Sequence, residues 1–346
     1  MKKTLHIKHS RPWITGQDRA RVNEVIQSGM LARGTLSSTF EKEVASYNEC
    51  KGGIGFPSGT SALAFALKCL GAGAASEIIL PTYVCSSVLH AVQSVGSKPI
   101  LCDIGENTWN MTPESVRPLL SRKTAAIIVV HIFGIPADVR GIMEFGIPII
   151  EDCAQAFGAE SKSKKVGSIG TLGVYSFHAT KCLTTGEGGM VVTREDAILD
   201  RMKKTREAIG ENMYPLSDMQ AALGLSQLRR YNAFLKKRSA LASIYFDGLP
   251  NDLTKRLFRQ DDGEIFFRFP LYGELDFETL RKNMGQYDIQ IRKGVDLLIH
   301  RNLGLEDEQF PHAVEAFKKT ICLPLHPSMD EQDVRYVSTT LRAALL

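Results

Sequence analysis

The sequence predicts an α/β fold: a large domain on a mainly parallel seven-stranded sheet sandwiched by helices, then a smaller C-terminal α+β domain. Three observations carry this. Seven short apolar runs recur between residues 53 and 193, and helical segments separate the early ones. The runs are unbroken rather than alternating, as expected of strands covered on both faces. The chain has 346 residues, enough for two domains at roughly 150 residues each. We place the large domain at 1–238 and the small one at 239–346.

The elements follow in order. QDRARVNEVIQSG sets Val22, Val25 and Ile26 on one helical face, and Gly29 is a stop signal. SSTFEKEVASYNE is a second amphipathic stretch. The seven runs are GIGF (53–56), EIILP (77–81), KPILCDI (98–104), AAIIVVHIFG (125–134), PIIEDCA (148–154), GVYSFH (173–178) and GGMVVT (188–193). SGTSALAFALKCLG and SSVLHAVQSVG read as helices between the early ones. A long helical stretch, 218–249, bridges towards the second domain. RFPLY and ICLPLHP are its candidate strands.

Composition removes other classes. Hydrophobic residues make up 44% and charged residues 23%, ordinary for a globular protein. No apolar run approaches the roughly 18 residues of a membrane span, and MKKTLHIKHSRPW has no apolar core behind its lysines, so we expect neither signal peptide nor membrane partner. Net charge is 42 − 38 = +4, too mild to argue for nucleic acid. The seven cysteines form no CxxC pair. Zinc and a disulfide framework are not expected, and free thiols suit a cytoplasmic setting. The basic clusters 162–165, 203–204 and 236–238 read as solvated faces.

Ligands on such sheets sit at the carboxyl ends of the strands, and the unusual polar residues fall there. In FPSGTSALAF, Ser58, Gly59 and Thr60 stand where a strand gives way to a helix, whose first-turn N–H groups bind phosphate. An ordinary helix cap is the alternative, and the commoner use of Ser and Thr at such a position. In PIIEDCAQ, Glu151 and Asp152 end a strand, where a carboxylate is expensive to desolvate unless paired. Asp152 suits a cation, either a metal or a protonated ring nitrogen, or else a helix cap. Gln155 follows three residues on. In YSFHATKCLTTGEGG, a strand delivers Ser176 and His178, and Lys181 follows in a loop ahead of a flexible turn. Desolvation would depress its pKa and make it a better amine nucleophile; a surface lysine is the alternative. A phosphate cup, an acidic partner for a ring nitrogen and a lysine are together what pyridoxal phosphate (PLP) requires.

On these motifs the chain resembles the DegT/DnrJ/EryC1/StrS sugar aminotransferases of PLP fold type I. The likeness runs nearly end to end, through SGMLARG, SGTSAL, PTYV, VHIFGIPAD, EDCAQAFGA, SFHATKCLTTGEGGMVVT, SDMQAALGLSQL and LPLHP. It implies a Schiff base between PLP and Lys181, Asp152 on the pyridinium nitrogen and Gln155 at the ring hydroxyl. Ser58, Gly59, Thr60, Ser176 and His178 would hold the phosphate. It implies transfer of an amino group, with pyridoxamine phosphate as intermediate, from an amino acid such as glutamate to a keto-sugar on a nucleotide diphosphate. Such reactions serve amino-sugar, surface polysaccharide or natural-product synthesis. A cyclitol aminotransferase and a non-catalytic PLP-binding regulatory homologue are the alternatives. The family also implies a homodimer with active sites at the interface.

Three departures stand out. Cys85 occupies the position where the family commonly stacks an aromatic residue on the cofactor ring, so either Tyr83 serves or stacking is weak. The family's Asn-aromatic-Arg motif, which reaches the partner's cofactor phosphate, reads Met213-Tyr214-Pro215, with Asn212 one position early. GAASEIILP lacks the usual Pro-Gly-Asp. Relatives with histidine in place of the lysine are sugar dehydratases; keeping Lys181 favours transamination.

Overall fold

The computed structural model describes residues 6–210, 215–254 and 263–345. Seven strands form the large sheet: β1 (Gly52–Phe56), β2 (Glu77–Pro81), β3 (Lys98–Cys102), β4 (Thr124–Val130), β5 (Ile149–Asp152), β6 (Leu172–Ser176) and β7 (Gly189–Thr193). Their spatial order is β1-β7-β6-β5-β4-β2-β3. Six of them run in one direction; β7 alone opposes them, pairing antiparallel with both β6 and β1.

Both faces are covered, as the unbroken apolar runs require. Ala126, Ile128, Val130 and Ile150 join one core with α3 (Gly59–Cys69) and α4 (Ser86–Ser94). Ile127, Val129 and Ile149 face the other way, against Val139 and Ile142. This alternation follows from the two-residue period of a strand, and it fixes where each side chain at the end of β5 points.

Several local expectations change. The 125–134 run ends as strand at Val130, because Phe133 turns into the left-handed region (φ 58°) and Gly134 follows at φ 82°. Among the first helix's expected apolar face, Val25 is buried but Ile26 is 52% exposed. Asp18 takes the inward place instead, where Arg230 meets it at 2.7 Å. The long stretch 218–249 is two helices, Asp218–Leu228 and Tyr231–Gly248. The break falls at that same Arg230, whose φ of −108° and ψ of 4° leave the helical region. Arg238 is not on a solvated face: it is buried and donates to the carbonyls of Phe266, Phe267 and Leu325 at 3.0, 3.2 and 2.9 Å. Those carbonyls need a buried donor.

A second, three-stranded antiparallel sheet comprises β8 (Phe269–Tyr272), β9 (Arg292–Lys293) and β10 (Thr320–Leu323). It shares a core with Leu280, Val334, Val337 and Leu341. The helix Tyr231–Gly248 links two cores: Phe234 packs with Phe157, Phe177 and Leu225 beside the large sheet, and Leu241 and Tyr245 pack in the core of the second sheet. Ile7, far away in sequence, also joins the second core through a bridge to Ile289. Among the described residues, no helix is long and apolar enough to cross a membrane.

Candidate active site

A cavity of about 660 Å³ opens at the carboxyl ends of β1, β5 and β6, within the size range of small-molecule sites. It brings together all nine candidate residues: Ser58, Gly59, Thr60, Cys85, Asp152, Gln155, Ser176, His178 and Lys181.

Its phosphate-sized end is built by a close approach. Ser58 caps α3, its Oγ accepting the Ser61 N–H at 3.1 Å. The cap reading of this serine therefore holds, with the side chain still on the cavity wall. The first N–H groups of the helix have no partner within it. A Cβ at Gly59 would stand 2.8 Å from Cβ of Ser176, and one at Gly189 would fall 2.3 Å from the Ser58 carbonyl oxygen. Glycine at both positions lets β6, β7 and the start of α3 converge.

The other end is carboxylate and amine. Asp152 is 6% exposed, and its Oδ1 accepts one backbone N–H, from Ala154 at 2.9 Å. Burial raises its pKa; the Ala154 hydrogen bond and the charge of Lys181 pull it back. Lys181 shows the reverse. Burial depresses the amine, Asp152 opposes that, and Arg268 adds to the depression. Its Nζ lies 5.3 Å from the ring centre of Phe267. This is the desolvated lysine rather than the surface one.

The loop carrying Lys181 is held firmly. Lys181 N–H donates to the His178 carbonyl at 2.8 Å, and Phe177 N–H to Gly188 at 2.8 Å. Thr184 and Thr185 are buried, and Thr184 N–H reaches Oε1 of Gln227 at 3.0 Å. The flexible turn expected at TTGEGG is thus hydrogen-bonded in place. His178 is exposed; its Nδ1 meets Thr180 at 2.9 Å and its Nε2 lies 3.5 Å from Glu187. Gln155 spends its carbonyl oxygen on the Phe133 N–H at 2.8 Å.

Tyr83 is fully buried and does not line the cavity. That removes it as a stacking substitute and leaves the exposed Cys85, ahead of α4, at that position. Asn212, Met213 and Tyr214 lie outside the described residues. All seven cysteines are free.

Sequence reasoning missed one wall. Arg268, Arg292, Gly294, Asp296 and Asn302 come from the C-terminal third and complete the cavity. An arginine opening the RFPLY strand was the available signal. It also missed His131, whose Nε2–H donates to Glu151 at 3.1 Å while its Nδ1 accepts from Ala137.

The donor set fits PLP: an amine of depressed basicity, a buried carboxylate electrostatically coupled to it, and a helix N-terminus at the opposite end.

Comparisons with known proteins agree with this geometry. Residues 12–342 match the DegT/DnrJ/EryC1/StrS aminotransferase family model. The chain is 30% identical to spore coat polysaccharide biosynthesis protein SpsC of Bacillus subtilis, over 99% of this chain and 97% of that protein. It is 30% identical to GDP-perosamine synthase of Escherichia coli O157:H7, over 96% of each. The crystal structure of the aminotransferase TlmJ from Streptoalloteichus hindustanus superposes with a TM-score of 0.90 at 26% identity, covering 98% of both chains. The α/β architecture is therefore the fold of such aminotransferases, and the chain belongs to the DegT/DnrJ/EryC1/StrS aminotransferase family.

Proposed function

We propose that this protein is a PLP-dependent aminotransferase acting on a keto-sugar carried by a nucleotide diphosphate, with an amino acid such as glutamate as donor. One observation carries the reading: Lys181 and Asp152 share one cavity, each with its protonation pushed by burial and restrained by the other. The sugar comes from the likeness to GDP-perosamine synthase and to a polysaccharide biosynthesis protein.

When bound, PLP supplies an electron sink for a carbanion. This chain's residues do the rest. Lys181 anchors the aldehyde. Once released, its amine takes the proton from the donor's α-carbon, and burial, by lowering its pKa, makes the unprotonated form that can do so more accessible. Asp152 holds a proton on the ring nitrogen, which a lone buried carboxylate favours strongly. Gln155 has its NH₂ group free for the ring hydroxyl, because its oxygen is held by Phe133. The start of α3, Ser176 and His178 bind the phosphate. Cys85, on the cavity wall, would offer the ring no aromatic face to stack on.

We also read the chain as two domains meeting near residue 238, with this cavity between them. We assign it as a homodimer with the site at the interface. Met30 and Leu31 of SGMLARG are 72% and 44% exposed, apolar surface that a second copy would cover.

Absorbance tests the reading. The purified protein should show the visible band of lysine-bound PLP, and glutamate should bleach it. Lys181→Ala should retain cofactor without that band and without turnover. Turnover at the wild-type rate in this variant would end the assignment.

A further inference from the structure

The C-terminal wall holds an arginine whose bonding is incomplete. Arg268 immediately precedes β8. Its Nη1 donates to the carbonyls of Gly294 at 3.1 Å and Lys293 at 3.5 Å, which fixes the plane of the guanidinium. Its Nε is buried and has no hydrogen-bond partner among the described residues. A buried donor left unmatched is costly. Its Cζ lies 5.4 Å from the ring centre of Phe267, the same ring that Lys181 Nζ approaches at 5.3 Å. Two cations therefore face one cavity around one phenylalanine. Among the described residues no carboxylate forms an ion pair with Arg268, and Arg292 on β9 adds a further positive charge to the cavity wall.

Such a corner is incomplete without an anion. We propose that Arg268 binds the α-carboxylate of the amino-acid donor. The proposal rests on the role given above to Lys181. If Lys181 removes the α-proton, the donor's α-carbon must lie beside Nζ. The carboxylate is bonded directly to that carbon, so it must lie close by as well. The cofactor phosphate has its own cup at α3, on the sheet side of the cavity. A sugar diphosphate is separated from the reacting ketone by the sugar ring and has no need to come near Nζ. Arg268 is thus the cation near the amine that suits the donor, and its planar fork matches a carboxylate.

The test removes the contact from both sides. Holoenzymes of wild type, Arg268→Gln and Arg268→Lys are mixed with glutamate or with glutamate α-methyl ester, and bleaching of the visible band is followed against concentration. Wild type should favour glutamate over the ester by about tenfold or more, as a charge-assisted hydrogen bond implies. Arg268→Gln should lose that preference, with its maximal bleaching rate little changed, and Arg268→Lys should keep part of it. Titration calorimetry with glutarate, a dicarboxylate that cannot react, gives a second readout. It should bind about tenfold more weakly to Arg268→Gln than to wild type. An unchanged preference for glutamate in Arg268→Gln, or equal glutarate binding in all three proteins, would overturn the proposal. An arginine that merely braces Gly294 would weaken glutamate and its ester alike, and that result would overturn it too. Should wild type lack the visible band, the assignment of Lys181 fails, while the glutarate titration still decides whether Arg268 is a carboxylate site.

Discussion

Glu151 and Asp152 are neighbours at the end of one strand, both carboxylates and both buried, yet their surroundings are opposite. Glu151 faces the sheet side shared with Ile149. Its Oε1 accepts the N–H groups of Ile169 and Gly170 at 2.7 and 2.6 Å, and its Oε2 accepts His131 Nε2–H at 3.1 Å. Its exposure is 0%. Asp152 faces the side shared with Ile150, accepts the Ala154 N–H, and meets Lys181 across a cavity. The first carboxylate is saturated by the protein; the second keeps capacity for something else. Satisfied buried polar groups rigidify a fold, whereas an under-satisfied one in a cleft marks a site for chemistry.

The near approach of His131, Glu151 and Cys153, all within 4.8 Å, resembles a metal cluster. The hydrogen bonds say otherwise. His131 uses both ring nitrogens, since Nδ1 accepts from Ala137 at 3.0 Å, and burial pushes the Cys153 thiol far above its ordinary value. A protonated thiol is a poor ligand.

The contrast between the two carboxylates yields ordered expectations. The largest effect falls on the partner of Asp152. Lys181→Ala should reduce turnover by at least about 10⁴-fold, measured under saturating substrates with melting temperature as a control. Next, Asp152→Asn should lower the rate by roughly 10²- to 10³-fold with little effect on the fold, because the protein spends a single hydrogen bond on this carboxylate. A large drop in melting temperature would contradict that half of the contrast.

Glu151→Gln should act the other way. The amide turns a donor towards groups that already donate, so denaturant unfolding should show a loss of about 3 kcal/mol. Turnover per folded molecule should stay close to wild type. A variant that is stable but inactive would place Glu151 in the chemistry.

The smallest effect is a pH slope. In cofactor-free protein, folded Lys181 binds its proton less tightly than the unfolded chain, whose lysine titrates near 10.5. Between the lowered folded value and that point, the unfolded state holds more protons. Stability contributed by this residue therefore rises with pH through that window. Relative to Lys181→Met, the wild-type melting temperature should gain between neutral pH and about 10.5. Parallel curves would show that burial does not depress this amine.

Much of this was legible in the residues. The strand positions followed from unbroken apolar runs, and EDCAQ with SFHATK marked the carboxylate and the amine of the cavity. What stayed hidden was partnership across long separations. Nothing near Glu151 in sequence announces that Ile169 and Gly170 will hold it, and Glu151 and Asp152 look alike until the strand's register assigns them to opposite faces. Arg238 looked like part of a solvated KKR run because its acceptors, Phe266, Phe267 and Leu325, lie 28 to 87 residues away. Ile26 looked inward because the apolar period ignores the ion pair that Asp18 makes with Arg230.

By itself the sequence determined the local matters: which segments become strands, where glycine permits close approach, and which residue types stand at strand ends. These depend on side-chain period and backbone sterics over a few residues. Only the tertiary structure decided that Arg268 joins Lys181 at one cavity, that Tyr83 lies in the core, and that Glu151 is satisfied where Asp152 is not. Each of those outcomes turns on desolvation and on partners distant in the chain, and such terms have no value until the segments have packed.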